Sequence, residues 1–293
     1  MVDRLVDRPR ELLVAGHVNI DLFLSVPSFP PPDRTVPVLG TRRELGGPAA
    51  NLALVASGYG VRVGVAALVG EEFPEEFRAR LERARVDLRA LVRVPGHSTP
   101  TCFIVEDRRG HQRTLIDQGP MGSPGAVPLP SPRFLSEYSW LHVTTGPPDR
   151  HLRLIRKARS AGLRIAVDPA QEIHYRWDRR RFAALLKGAE ILFGNQSEIA
   201  RAAKLTGGAA TARLTERVPL VIRTEGANGV TAFADGAALH VPAARPRRVR
   251  SIVGAGDAFR GGFYSAWFAG QSLERCLNAG VRSAARWVEG SPR

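Results

Sequence analysis

Cysteine and lysine are both scarce in this chain, and each scarcity removes a class of explanation. The two cysteines, Cys102 and Cys276, lie far apart with no CxxC spacing, which excludes a disulfide framework and a cysteine-based zinc site. A reducing, cytoplasmic compartment is the expectation. The opening stretch, Met1 to Glu11, alternates charged with apolar residues and has no continuous apolar core of the secretory kind, and no later run is long enough to cross a membrane. Neither secretion nor membrane insertion is expected. The chain also has no GxxxxGK[ST] phosphate loop, no GxGxxG dinucleotide loop, no GxSxG elbow and no HExxH helix. Any phosphate-binding loop must therefore be of another kind.

Only three of the 42 basic residues are lysines, Lys157, Lys187 and Lys204, so arginine produces the formal net charge of +14 against 28 acidic residues. Such a surface suits nucleic acid, an acidic membrane or small anionic substrates. The arginines are scattered, however, as in Arg78, Arg80, Arg83, Arg85 and Arg89 on an expected helix face. With no basic tract interleaved with aromatics and no helix-turn-helix spacing, a solvated surface is the favoured reading, and neither nucleic acid nor a membrane is an expected partner. One cluster, Arg245, Arg247, Arg248 and Arg250, serves equally well to steer a polyphosphate or as a proline-bounded basic loop.

What remains is an ordinary globular composition, 44% hydrophobic and 24% charged, on 293 residues, enough for one large α/β unit with a small appendage. The pattern predicts strands at 11–18, 62–69, 88–94, 140–143, 164–167, 191–193 and 220–223, a hairpin over 230–241, and helices at 48–59, 75–84, 149–161, 181–187, 257–269 and 273–287. This alternation specifies a doubly wound, mainly parallel central sheet flanked by helices. The extended pieces 21–26, 35–45, 101–107 and 112–116 fall outside the rhythm. They are assigned to a small β-sheet lid formed by 21–45 and 99–116, the core being 1–20, 46–98 and 117–293.

Five segments carry candidate chemistry. Gly254-Ala255-Gly256-Asp257 opens an amphipathic helix, so its peptide N–H groups and the helix dipole can hold a transferring phosphoryl anion while Asp257 accepts a proton. The same residues also suit a tight turn with an acid at a helix start. Gly46-Gly47 leads into a helix with Asn51 one turn in, and Asp21 follows a buried strand, where it can accept from two sugar hydroxyls. Asn195 and Glu198 can hold a hydrated Mg²⁺, although Asn followed three residues later by Glu is also a capping box. Thr224, Gly226 and Gly229 end a strand in a glycine-spaced loop suited to a nucleotide or to any hairpin.

This ordered set, spanning about Leu12 to Trp287, resembles the ribokinase-like (PfkB) carbohydrate and nucleoside kinase family. The resemblance implies ATP and Mg²⁺ as co-substrate and cofactor, with nucleotide near Gly226 to Gly229 and Asn278, and a sugar or nucleoside between Asp21, Gly46, Gly47 and Asn51. Asp257 would deprotonate a primary hydroxyl, Gly254 to Gly256 would form the anion hole, and Asn195 and Glu198 would organise Mg²⁺ through water. Gly16-His17, Thr144-Thr145-Gly146, Asp168-Pro169-Ala170-Gln171 and the pair Asp257 and Arg260 are similar to archaeal-type nucleoside kinases, with Phe103 or another lid apolar group covering a base and Gln171 close by. Where the family has an Asp-Thr pair tied to monovalent-cation activation, Ser251-Ile252 stands here, so K⁺ dependence does not carry over. The resemblance also suggests a homodimer meeting through the lids. A sugar-phosphate kinase of the same family is the alternative function, and a non-catalytic basic nucleic-acid-binding or regulatory protein the remote one.

Overall fold

The computed structural model describes residues 10–123, 125–208 and 211–290, so most of the stretch Met1 to Glu11 lies outside the described residues. In chain order it runs β1 (Arg10–Ala15), β2 (Asn19–Val26), β3 (Gly40–Gly46), α1 (Pro48–Gly58), β4 (Val63–Val69), α2 (Glu75–Arg83), β5 (Asp87–Arg93), β6 (Thr101–Asp107) and β7 (Gln112–Asp117). Then follow α3 (Pro132–Leu135), β8 (Tyr138–Val143), α4 (Pro148–Ser160), β9 (Arg164–Val167), α5 (Arg179–Leu186), β10 (Ile191–Asn195) and α6 (Gln196–Leu205). The last part comprises α7 (Ala212–Thr215), β11 (Leu220–Thr224), β12 (Val230–Ala234), β13 (Ala237–Val241), α8 (Ala255–Phe268) and α9 (Leu273–Val288).

Nine strands form one sheet in the order β13-β12-β11-β10-β9-β8-β1-β4-β5. From β11 to β5 every neighbour is parallel, and only the hairpin strands β12 and β13 run antiparallel. Such strands must be apolar on both faces, and Leu12, Leu13, Val14 and Ala15 of β1 are all buried. One face packs on α1, α2, α8 and α9, the other on α3 to α7, giving the doubly wound form. The chain moves outward from β1 through β4 to β5, then outward again from β8 through β11, so β1 and β8 flank the point where ligands bind in open α/β sheets.

A second sheet of order β3-β2-β6-β7 stands at the carboxyl edge of the first. It is entered from the ends of β1 and β5 and left through Gly46-Gly47 and residues 118–119. Strand pairing here is antiparallel for β2 with β3 and for β6 with β7, and parallel for β2 with β6.

Three expectations need correcting. The first strand stops at Ala15 rather than Val18, because Gly16 lies so close to the Thr144 side chain that only a glycine fits. Residues 35–39 are not part of β3, consistent with Pro37, which cannot donate to a ladder. The arginine series does not share one helix face: α2 ends at Arg83, Arg85 takes φ 58°, and Arg89 belongs to β5, where it pairs with Asp87.

The packing that positions the site is the meeting of α1 with α8. The sequence of α1, Pro-Ala-Ala-Asn-Leu-Ala-Leu-Val-Ala-Ser-Gly, is small on the contacting side, and Pro48 occupies its first turn, where no N–H is needed. Opposite it, a Cβ at Gly261 would lie 2.5 Å from Val55 Cγ1 and 2.7 Å from Val55 Cβ, so the two backbones approach as near as a missing side chain allows. Gly261→Val is expected to destabilise the protein by roughly 1–3 kcal/mol through overpacking. Denaturant titration checks this, and a variant with unchanged stability would contradict the close approach.

Candidate active site

The close approach of α1 and α8 brings Asn51, buried in the first half of α1, against Asp257 in the first turn of α8. Asn51 Nδ2 donates to Asp257 Oδ2 at 3.1 Å. Asp257 retains only 13% of its side-chain exposure, and burial pushes its pKa up to about 6 although Arg260 and the Asn51 bond oppose the rise. A carboxyl of that proton affinity is a competent general base near neutral pH.

The turn that opens α8 is fixed from below. Gly254 is the N-cap in the left-handed region, φ 80°, and its Cβ, were there one, would sit 2.7 Å from the Trp287 ring. Trp287 Nε1 donates to Val253 O at 2.7 Å, so α9 clamps the turn. A helix leaves its first N–H groups without intrahelical partners, which makes those of Gly256 and Asp257 available to an anion. The Ala255 N–H donates to Ile252 O at 3.1 Å, which removes it from the expected set of anion donors.

Asp21 and the Gly46-Gly47 turn meet at the start of α1. A methyl at Gly46 would overlap the Asp21 carboxyl, and Gly47 is the α1 N-cap at φ 94°, with a Cβ position 2.5 Å from Asn19 Oδ1. Asn19 Nδ2 donates to Asp21 Oδ1 at 2.6 Å, holding the carboxylate in place. Asp21, Asn51 and Asp257 therefore gather at one end of α1, which is the convergence that the sequence suggested.

Other expected site residues stand differently. Phe103 pairs in register with Leu22, whereas Asp21 pairs with Cys102, so Phe103 projects from the opposite face of the small sheet to Asp21. Cys102 and Ile104 share the Asp21 face instead. Gln171 is exposed, and it is the next residue, Glu172, that is buried and accepts from Gly146 N. Asn195 and Glu198 form a complete capping box: Glu198 N donates to Asn195 Oδ1 at 3.0 Å and Asn195 N to Glu198 Oε2 at 2.7 Å. Glu198 is nevertheless close enough for its charge to raise the proton affinity of Asp257. Thr224 ends β11, Gly226 and Gly229 bound a short 3₁₀ turn with φ 59° and 104°, and Asn278 on α9 donates to Glu274 O at 2.9 Å.

Two groups of residues escaped the sequence reading as site components. Asp168, fully buried after β9, forms an ion pair with Arg260, which lies beneath Asp257. At the β1 and β8 ends, His17 bonds Thr145 Oγ1 at 2.8 Å and Gln118 Oε1 at 2.7 Å, and Gln118 Nε2 donates to Glu172 Oε1 at 3.3 Å. The stretches containing Asp168, Arg260, His17 and Thr145 were visible, but nothing local in them announces pairing across about a hundred residues.

Residues 9–291 match the family model described as pfkB family carbohydrate kinase. A nucleoside kinase of Methanothermobacter thermautotrophicus is 32% identical over 270 residues, covering 91% of this chain and 85% of that protein. An ATP-dependent ribose-1-phosphate kinase of Halopiger xanaduensis is 28% identical, covering 91% of this chain and 88% of that one. Among solved structures, the nucleoside kinase of Methanocaldococcus jannaschii superposes with a TM-score of 0.88 at 25% identity, covering 97% of this chain and 93% of that chain.

Gly46→Ala tests the role of Asp21 by displacing its carboxyl without replacing the residue. Losing one charge-assisted hydrogen bond to a ligand is worth about 1.5–3 kcal/mol, so kcat/KM for the acceptor is expected to fall roughly 10- to 100-fold while the fold persists. An unchanged kcat/KM would separate Asp21 from acceptor binding.

Proposed function

The chain belongs to the pfkB carbohydrate kinase family and is a phosphotransferase with an alcohol acceptor, and on that premise we propose that Asp257 is the general base that activates a primary hydroxyl of a nucleoside. The observation that carries the proposal is the Asn51 to Asp257 hydrogen bond, which unites the two glycine turns at one buried carboxyl.

In the proposed reaction the acceptor is held by Asp21 and the Gly46-Gly47 turn. Its hydroxyl oxygen attacks the γ-phosphorus of ATP in line, its proton passes to Asp257, and the bond to the departing ADP breaks. The N–H groups of Gly256 and Asp257, with Gly254 shaping the turn, receive the charge on the phosphoryl oxygens. The nucleotide lies by Thr224, Gly226, Gly229 and Asn278. Among the described residues there is no cluster of three or more His, Cys, Asp or Glu side chains that could hold a metal ion. Asn195 and Glu198, which spend Asn195 Oδ1 and Glu198 Oε2 on the capping box, would hold a hydrated Mg²⁺ through water. Bound Mg²⁺ neutralises charge on the nucleotide phosphates.

The small sheet is proposed to act as a lid that excludes water from the transfer. Its face bearing Asp21 also carries Arg42, stacked over Phe23 with the guanidinium carbon 4.1 Å from the ring centroid. This guanidinium on the acceptor face favours a sugar phosphate as the second reading. The other face exposes Leu115 beside Phe103 and Leu22, and we propose it as the surface through which two copies meet. A dimeric mass in sedimentation, lost in Leu115→Glu, checks that assignment.

Asp257→Asn is expected to lower kcat by about 10²- to 10⁴-fold with nucleotide binding intact. Because the base must be ionised, wild-type kcat should fall as pH drops through about 6. Wild-type turnover in Asp257→Asn would refute the assigned base. ADP release screened over nucleosides, free sugars and sugar phosphates identifies the acceptor, and turnover confined to sugar phosphates would replace the first reading with the second.

A further inference from the structure

Arg260 follows Asp257 by three residues on α8, a spacing at which opposite charges on a helix pair by default. Here they do not. Arg260 NH1 stands 3.6 Å from Asp257 Oδ1, beyond hydrogen-bond range, while its NH2 makes a direct ion pair with Asp168 Oδ2. The only hydrogen bond found on the Asp257 carboxylate among the described residues comes from the neutral amide of Asn51. Arg260 is itself 6% exposed, and its Nε is buried with no hydrogen-bond partner, so the guanidinium has capacity left for another acceptor.

Building on the reading of Asp257 as the base, we propose that Asp168 is a positioning residue that holds the Arg260 guanidinium off Asp257, leaving the base bonded to a neutral group and able to take the acceptor's proton. The charged and titratable groups facing this site come from every element around it: Asp168 after β9, Glu198 on α6, Arg260 and Tyr264 on α8, and His142 on β8. Tyr264 and His142 bond each other at 2.8 Å, and burial keeps both neutral, so the balance lies between one cation and three carboxyls, of which burial raises the proton affinity of both Asp168 and Asp257 while Arg260 opposes the rise in each. Were Arg260 to transfer to Asp257, a direct guanidinium partner would lower the proton affinity of that carboxyl by about 1–3 pH units, which weakens a base.

The test is the pH profile of kcat in two variants of opposite sense. Asp168→Asn keeps the shape and removes the charge that detains Arg260. It is expected to lower kcat about 10-fold and to move the acidic limb down by about one pH unit, with nucleotide affinity unchanged. Arg260→Gln removes the cation and is expected to move the same limb upward. Asp168→Glu should restore the wild-type limb, and with Arg260→Gln it carries the test if the Asn variant fails to fold. A purely structural role reduces kcat equally at every pH, so limbs that stay in place, or move in one direction, overturn the proposal. Activity in Asp257→Asn would defeat the base itself. An inactive Asp257→Asn alongside unmoved limbs defeats only the role of Asp168.

Discussion

The approach of α1 to α8 is the constraint on which the rest of the site depends. Gly261 lies against Val55 and Ala56 with no room for a side chain, and only at that separation does the Asn51 amide reach Asp257. Each helix begins in a glycine turn with a positive φ, at Gly47 and Gly254, but in α1 Pro48 has no N–H and Ala49 N donates to His17 O at 3.0 Å. A single packing distance between two backbones thus sets the relation between the half of the molecule that holds Asp21 and the half that holds the glycine turn of α8.

Electrostatics then divides the buried carboxyls by partner. Asp21 is held by Asn19, Asp168 by Arg260, and Glu198 by the start of its own helix. Asp257 is left with an amide, and burial raises the proton affinity of Asp168 and Asp257 alike. Burial of these carboxyls strengthens every such interaction.

Much of this was readable in the sequence, for identifiable reasons. The central strands and long helices were found because burial on both faces leaves unbroken apolar runs, and amphipathic helices keep their period; β6 and β9 matched to the residue. The convergence of Asp21, Asn51 and Asp257 followed from glycine turns placed at helix starts. Phe103 was misjudged because strand alternation fixes only that neighbours oppose one another, and the register with β2 decides which face is inward. The same applies to Gln171: the short 3₁₀ turn at Ala170–His174 turns Glu172 inward in its place. Ala255 lost its expected part through a local turn to Ile252. The pairing of Arg260 with Asp168 depends on tertiary contact over 92 residues and leaves no mark in either segment.

The indole of Trp287 closes the glycine turn of α8 from 34 positions further along the chain, through its bond to the Val253 carbonyl. During synthesis the glycine turn, its aspartate and the whole of α1 leave the ribosome before the residue that braces them. The turn is therefore left unbraced until α9 has emerged and docked, so a nascent chain lacking that helix carries the proposed base and anion donors without the bond that holds them.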